Sequence, residues 1–265
     1  MTTAGIDIGS RTIALLAWDG QRALDATVVD TGPDPLATCR GLLRGRSFER
    51  VVATGYGRHL IAERGLADAV ITEIKAHALG ARQLSPDVRT VLDIGGQDSK
   101  VIQVRADGAP LDFEMNDRCA AGTGRFLESM ARTLGLAVEA FGGHALEAEG
   151  EAVTLSSMCT VFAESEVVSL IGRGEDSRRV ALGIHQAIVT RISAMVRRVG
   201  LREPFFFAGG VARNPCVCRL LADRLGLIPW VPPEPQTVGA LGAALWAAMQ
   251  AGAAPSGSDG FAKMP

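Results

Sequence analysis

The hydrophobic positions of the chain form short runs between glycine-containing turns, and the second half changes largely to helical spacing. Apolar runs of about four to eight residues bounded by turns are typical of strands, and recurrence every three to four residues is typical of helices. The runs predict strands at 4–9, 12–18, 23–30, 50–54, 90–95, 100–105, 111–115, 205–208 and 228–231. The helical spacing predicts helices at 33–46, 73–84, 120–134, 161–172, 178–199, 215–225 and 236–250.

One pattern of strands occurs twice. The sequence DIG at 7–9 recurs at 93–95, and each copy is followed by a polar turn, a second strand and an Asp-Gly hairpin signal. The repetition predicts a duplicated α/β fold with two lobes facing each other across a cleft. We expect lobe I at 1–72, rejoined by the helix at about 236–250, and lobe II at 73–235. The small, polar stretch 251–265 is expected to be a disordered tail.

Composition and charge narrow the possible partners. A net charge of -2 over 265 residues gives no reason to expect nucleic acid. No apolar stretch approaches the roughly 20 residues of a membrane helix, and the beginning of the sequence lacks the pattern of a secretion signal. Five cysteines without such a signal argue against a disulfide framework. These features predict a cytoplasmic protein without nucleic-acid or membrane partners.

The repeated turns have the chemistry of phosphate loops. Glycine leaves backbone N–H groups unshielded, so turns at 7–10 and 95–99 can surround phosphate oxygens. Asp7 and Asp93, at strand ends, are candidates to hold Mg²⁺ through water, and Gln97 is a candidate to orient an attacking water. A third strand-to-glycine turn at 209–210 precedes a helix. The residues expected to contact nucleotide are Gly9, Ser10, Arg11, Gly95, Gly96, Asp98, Gly124, Gly209, Gly210, Asn214 and Gln236.

Three segments carry a resemblance to a known group of proteins. GIDIGS at 5–10, DIGGQDSK at 93–100 and AGGVARN at 208–214 resemble the nucleotide loops of the acetate and sugar kinase, Hsp70 and actin superfamily. More narrowly, the chain resembles the activator ATPases of 2-hydroxyacyl-CoA dehydratases and the ATPase subunits of benzoyl-CoA reductases. The resemblance runs from Gly5 to about Ala248. It implies the RNase H-like fold of actin, Hsp70 and sugar kinases, with ATP or ADP and Mg²⁺ between the lobes.

Two cysteines fall in motifs that resemble those of the activators. Cys119 and Cys159 each precede a predicted helix, where unpaired N–H groups stabilise a thiolate. Spacing alone favours two buried, inert thiols, because it matches no compact metal motif. The resemblance instead implies one [4Fe–4S] cluster bridged across a homodimer by both cysteines of each chain. Cys39, Cys216 and Cys218 lie outside these motifs, and we interpret them as structural.

The same resemblance implies a function, and one alternative function remains open. The expected activity is ATP-dependent transfer of low-potential electrons from a ferredoxin or flavodoxin, through the cluster, to a 2-hydroxyacyl-CoA dehydratase or related reductase. The main alternative is a small-molecule, sugar-type kinase, which needs an aspartate base near the γ-phosphate. Ala14 stands where many relatives have a lysine near the phosphates, and Arg11 is a candidate replacement. Segments around Arg58 and Glu73 also resemble segments of the activators.

Overall fold

The computed structural model describes residues 2–157 and 159–252, so most of the tail expected at 251–265 lies outside the described residues. The first sheet has five strands in the order β3-β2-β1-β4-β5, where β1 pairs antiparallel with β2 and parallel with β4. Its strands are β1 (Thr3–Ile8), β2 (Thr12–Trp18), β3 (Ala23–Asp30), β4 (Arg50–Thr54) and β5 (Ala69–Val70).

The second sheet repeats this arrangement. Its order is β8-β7-β6-β9, with β6 antiparallel to β7 and parallel to β9. The register slips at the same place in both copies, between the second and third strands of each meander. The predicted duplication is therefore confirmed. The strands are β6 (Thr90–Ile94), β7 (Ser99–Val104), β8 (Pro110–Asn116) and β9 (Phe205–Ala208).

The helices confirm most of the predicted pattern and add two that the pattern did not predict, α2 and α5. Capping side chains begin several of them: Asp34, Thr72, Asp176 and Asn214 each accept a backbone N–H of the first turn. The helices are α1 (Pro35–Leu43), α2 (Arg58–Glu63), α3 (Glu73–Leu84), α4 (Gly124–Thr133), α5 (Val138–Leu146), α6 (Thr160–Gly172), α7 (Ser177–Val199), α8 (Pro215–Leu225) and α9 (Val238–Gln250).

Two predictions are wrong in detail. The segment 228–231 is not a strand: Trp230 makes an isolated bridge to Phe206. Prolines at 229 and 232 lack the N–H groups that a ladder needs, so the pairing stops there. The helix expected at 120–134 begins only at Gly124, because Gly122 has φ +91° and Thr123 is extended.

Helices α3 and α9 pack against each other, α3 against strands of the second sheet and α9 against strands of the first. Their backbones approach so closely that a Cβ at Gly80 would overlap the carbonyl oxygen of Val238, and one at Gly242 that of Ala76. The small residues of α9 therefore allow another helix to approach closely. Among the described residues, no helix combines the length and apolar character needed to cross a membrane.

Candidate functional site

Two aspartates occupy equivalent positions at the bottom of a cleft of about 1210 Å³. Asp7 is the penultimate residue of β1 and Asp93 that of β6. Beside each, the adjacent parallel strand runs into a glycine with positive φ: Gly55 at +87° and Gly209 at +85°. A Cβ at either glycine would overlap the neighbouring strand end, and at Gly209 it would lie 2.7 Å from Oδ1 of Asp93. The site is therefore duplicated along with the fold.

The two glycine loops face each other across this cleft. Each is closed by the same hydrogen bond: the N–H of Gly9 donates to the carbonyl of Thr12 at 3.0 Å, and that of Gly95 to the carbonyl of Asp98 at 3.0 Å. A Cβ at Gly96 would lie 2.9 Å from Cβ of Arg11 and 3.0 Å from Oγ of Ser10. The two loops therefore lie in near contact, and there is no room between them for a side chain at position 96.

A lysine that the sequence analysis did not single out lies between the carboxylates of the cleft. The side chain of Lys100, the second residue of β7, is 2 % exposed. Its Nζ lies 2.7 Å from Oδ2 of Asp98, 2.8 Å from Oε2 of Glu73 and 3.2 Å from Oδ2 of Asp93. Three carboxylates share this one ammonium, and two further cationic side chains reach the same group. Nη1 of Arg58 lies 3.7 Å from Oε1 of Glu73, and Nε2 of His77 lies 3.3 Å from Oδ1 of Asp93. The charges of these carboxylates are therefore largely balanced within the protein. Lys100 also gives the cleft a lysine in the second sheet, at the position that Ala14 occupies in the first: Ala14 pairs with Asp7, and Lys100 pairs with Asp93.

The electrostatics differ between the two aspartates. Burial raises the pKa of Asp7 from 3.8 to about 7, with Glu73 and Asp93 adding to the effect. Burial would also raise the pKa of Asp93, but the charges of His77 and Lys100 more than offset it and hold that pKa below its ordinary value. The pKa of His77 rises to about 9 despite burial, because its Nε2 lies 3.3 Å from Oδ1 of Asp93. At neutral pH, Asp93 is ionised, whereas Asp7 titrates.

Other residues expected to bind nucleotide are engaged with the protein. Arg11 donates from Nε to Oε1 of Glu128 at 2.9 Å and lies 3.1 Å from Oδ1 of Asp30, so its guanidinium pairs with carboxylates. The N–H of Gly124 donates to the carbonyl of Gly95 at 2.9 Å. The side chain of Asn214 caps α8. These three residues line the cleft while supporting its walls.

The remaining predicted residues also line the cleft. Gln97 is exposed at the tip of the second loop. Gly210 begins the short 3-10 helix Gly210–Arg213, and a Cβ there would lie 3.5 Å from Nε2 of Gln236. No three histidine, cysteine or carboxylate side chains among the described residues form a ready metal-binding group.

The five cysteines fall into two classes. Burial raises the pKa of the Cys39 thiol to about 11 and that of Cys216 to about 12, which keeps both thiols protonated. Cys218 donates its S–H to the carbonyl of Ala212 at 3.2 Å. Cys119 is half-buried in the loop before α4, and Cys159 is exposed at the N-cap of α6. Only these last two lie in loops where a ligand can reach them.

Each of these two cysteines adjoins backbone N–H groups that have no partner in the described part of the chain. Among the described residues, the N–H groups of Ala120, Ala121 and Gly122 donate no hydrogen bond. At the first turn of α6, the side chain of the N-cap residue Cys159 accepts no hydrogen bond from the N–H groups of residues 160–162. Unpaired N–H groups suit an anion, and they match the sulfur atoms of an iron–sulfur cluster. Two thiolates per chain also match a four-thiolate cluster shared by two copies.

Signals for the missed residues were present in the sequence. Thr54-Gly55 at the end of β4 repeats Ala208-Gly209 at the end of β9, so the duplication could have identified Gly55. Lys100 follows the second loop directly, but its role depends on Glu73, which another element supplies.

The duplicated fold, the paired aspartates and the facing glycine loops define a two-lobed nucleotide-binding ATPase. The chain belongs to the BadF/BadG/BcrA/BcrD ATPase family, whose sequence model matches residues 36–247. It is 41 % identical over 256 residues to the activator of lactoyl-CoA dehydratase of Anaerotignum propionicum, covering 93 % of this chain and 97 % of that protein.

Solved structures agree. The activator of the 2-hydroxyisocaproyl-CoA dehydratase from Clostridium difficile, solved with bound ADPNP, superposes with a TM-score of 0.86 at 39 % identity, covering 95 % of this chain and 96 % of that one. A ROK hexokinase from Thermus thermophilus superposes with a TM-score of 0.50 at 17 % identity, covering 95 % and 99 %. This second likeness concerns the fold alone and confirms the expected sugar-kinase type of architecture.

Proposed function

We propose that this protein is an ATP-dependent electron-transfer activator. In the proposal, two copies share one [4Fe–4S] cluster, held by Cys119 and Cys159 of each copy. They pass low-potential electrons to a 2-hydroxyacyl-CoA dehydratase or related reductase, coupled to ATP hydrolysis. The observation that carries the proposal is the 41 % identity to a dehydratase activator along nearly the whole of both chains.

The cleft supports the nucleotide half of the proposal. The two glycine loops present backbone N–H groups to phosphates, and Asp7 and Asp93 would hold Mg²⁺ through water between them. Gln97, exposed at the tip of the second loop, would orient the water that attacks the γ-phosphate, which yields ADP and phosphate. Lys100 would fix the carboxylates of Asp93 and Asp98 in place, so that they need not reorganise when the metal binds.

A chain of contacts connects the cleft to the cysteine loops. The second glycine loop is fixed to α4, because the N–H of Arg125 donates to the carbonyl of Gly96 at 2.8 Å. From the first loop, Arg11 reaches Glu128 on the same helix. Helix α4 in turn contacts α6, where the hydroxyl of Ser129 donates to a carboxylate oxygen of Glu164. A change in the distance between the lobes would therefore move the segments that carry Cys119 and Cys159.

The outward face of α6 supports association of two copies next to Cys159. Surface helices in water normally carry charged residues on the outer face. The exposed positions of α6 carry none, and its large apolar side chains include Val161 at 68 % and Phe162 at 65 % exposure. A symmetric partner covering this face would bring its own two thiolates to the same centre.

The proposed chemistry needs a donor and an acceptor. A reduced ferredoxin or flavodoxin would give one electron to the cluster, which supplies a reversible one-electron centre when bound. Hydrolysis of ATP would make the transfer one-way, provided that ATP favours one of two lobe arrangements. We place the reaction in the cytoplasm, where low-potential donors of this kind act.

The experiment is anaerobic preparation of three cysteine variants. Cys119→Ser and Cys159→Ser should each lose iron and brown colour while still binding Mg·ADP. Cys218→Ser is the matched control, because its thiol is engaged with Ala212 outside both loops, and it should keep its iron. Full iron content in both Cys119→Ser and Cys159→Ser would refute the cluster assignment.

A further inference from the structure

Two polar side chains fix the shape of the two cysteine loops. We propose that Asn116 and Glu166 are positioning residues for the iron–sulfur cluster. The inference rests on the proposed function, since it gives these residues a role at the same centre. Neither side chain carries a thiol, so both act through the backbone that surrounds Cys119 and Cys159.

Asn116 holds the Cys119 loop from one side. Its Nδ2 donates to the carbonyl oxygen of Cys119 at 2.9 Å and to that of Ala121 at 3.0 Å. The guanidinium of Arg191 faces Oδ1 of Asn116 at 3.4 Å, which orients the amide with its NH₂ group towards the loop. The stem of Arg191 also packs where a side chain at Gly122 would lie. The side-chain amide of Asn116 therefore fixes the loop at two points, the carbonyl groups of Cys119 and Ala121.

This arrangement decides where the N–H groups of the loop point. In a trans peptide the C=O and N–H lie on opposite sides. Because Asn116 binds the carbonyls of Cys119 and Ala121, the N–H groups of Ala120 and Gly122 point away from it. The carbonyl of Ala120 accepts from the N–H and hydroxyl of Thr123, which turns the N–H of Ala121 away from Thr123. These three N–H groups next to Cys119 donate to no acceptor within residues 2–157 and 159–252.

Glu166 holds the backbone of the loop before Cys159, as Asn116 holds the loop at Cys119. From the second turn of α6 its carboxylate reaches back and accepts the N–H of Ser156 at 2.8 Å and that of Ser157 at 3.2 Å. Oγ of Ser157 then accepts the N–H of Cys159 at 3.3 Å. This loop is thereby held against the start of α6, where no side chain of the N-cap residue accepts the first N–H groups.

Both residues should therefore affect more than stability. Hydrogen bonds to the sulfur atoms and exposure to solvent set the reduction potential of an iron–sulfur cluster. Residues that orient the ligands of a metal site change metal affinity by about 10- to 100-fold when they are replaced. A purely structural residue would change unfolding without changing the potential.

The test uses isosteric variants of the full chain. Asn116→Asp removes the NH₂ donor, and Glu166→Gln replaces one acceptor oxygen by a donor. Arg198→Gln is the matched control, because it breaks the ion pair with Glu114 in the same groove without touching either loop. For each we would measure Mg·ADP binding, iron loss to a chelator, the electron paramagnetic resonance spectrum of the reduced protein and its midpoint potential. Hydrogen exchange of residues 117–123 is measured on iron-free protein.

The expected result is iron loss at least about tenfold faster in Asn116→Asp and Glu166→Gln, with an altered spectrum and a shifted potential. Exchange in 117–123 should increase in Asn116→Asp, and all variants should bind Mg·ADP. Wild-type iron retention, spectrum and potential in both variants would overturn the inference while leaving the proposed function intact. A wild-type protein that binds no iron would overturn both.

Discussion

The raised pKa of Asp7 predicts that removing its charge stabilises the nucleotide-free protein. A carboxyl whose folded pKa lies above its unfolded pKa costs stability at high pH, because the folded state binds more protons than the unfolded state between the two values. With pKa values of 3.8 unfolded and about 7 folded, the full cost above pH 7 is about 4 kcal/mol. The side chain is only half-buried, so we expect about 2 kcal/mol to be realised.

Asp7→Asn removes that cost and should also remove a carboxylate that holds Mg²⁺ through water. Part of the cost is already present at pH 5, which lies above the unfolded pKa. The free energy of unfolding in urea, measured without nucleotide, should therefore favour the variant by about 1 kcal/mol more at pH 8 than at pH 5. Added Mg·ATP should stabilise the wild type but not the variant. Because all other groups are common to both proteins, the comparison isolates residue 7.

Two results would refute the reasoning. An unfolding free-energy difference that does not change between pH 5 and pH 8 would show that Asp7 titrates normally. Stabilisation of Asp7→Asn by Mg·ATP to the wild-type extent would show that its carboxylate does not serve the nucleotide.

Three further changes have expected outcomes. Lys100→Met should lower the free energy of unfolding at pH 7 by about 3–5 kcal/mol, because it leaves buried carboxylates uncompensated; a cost below about 1 kcal/mol in chemical denaturation would contradict this. Gly96→Val should push the loops apart and weaken ATP binding with little loss of stability, as calorimetry would detect; unchanged affinity would contradict the near contact with Arg11. Glu128→Gln should weaken the link from Arg11 to α4 and reduce ATP-dependent electron transfer while iron content stays constant; an unchanged rate would exclude that link.

The duplicated fold could be predicted because its signals are local. Each DIG turn ends a short apolar strand, and the repeat of strand, turn and hairpin needs no knowledge of tertiary packing. The start of α6 next to Cys159 followed from the change to helical spacing. The same reasoning found every strand of both meanders.

The rest depended on tertiary contacts or weak local patterns. Helix α5 has two glycines and no capping side chain, so its sequence gives little helical signal. The role of Lys100 arises only when α3 brings Glu73 beside β7. The phosphate role expected for Arg11 overlooked Asp30 and Glu128, which come from a strand end and a distant helix. A loop can thus be recognised from its glycines, while the charges around it cannot.

The central claim is that two chains share one cluster beside two nucleotide clefts. The most direct measurement is iron, sulfide and native mass on the same oxygen-free preparation of the full chain. The account predicts a dimer with about two iron and two sulfide atoms per chain. A monomer without iron, prepared with intact Mg·ADP binding, would contradict it.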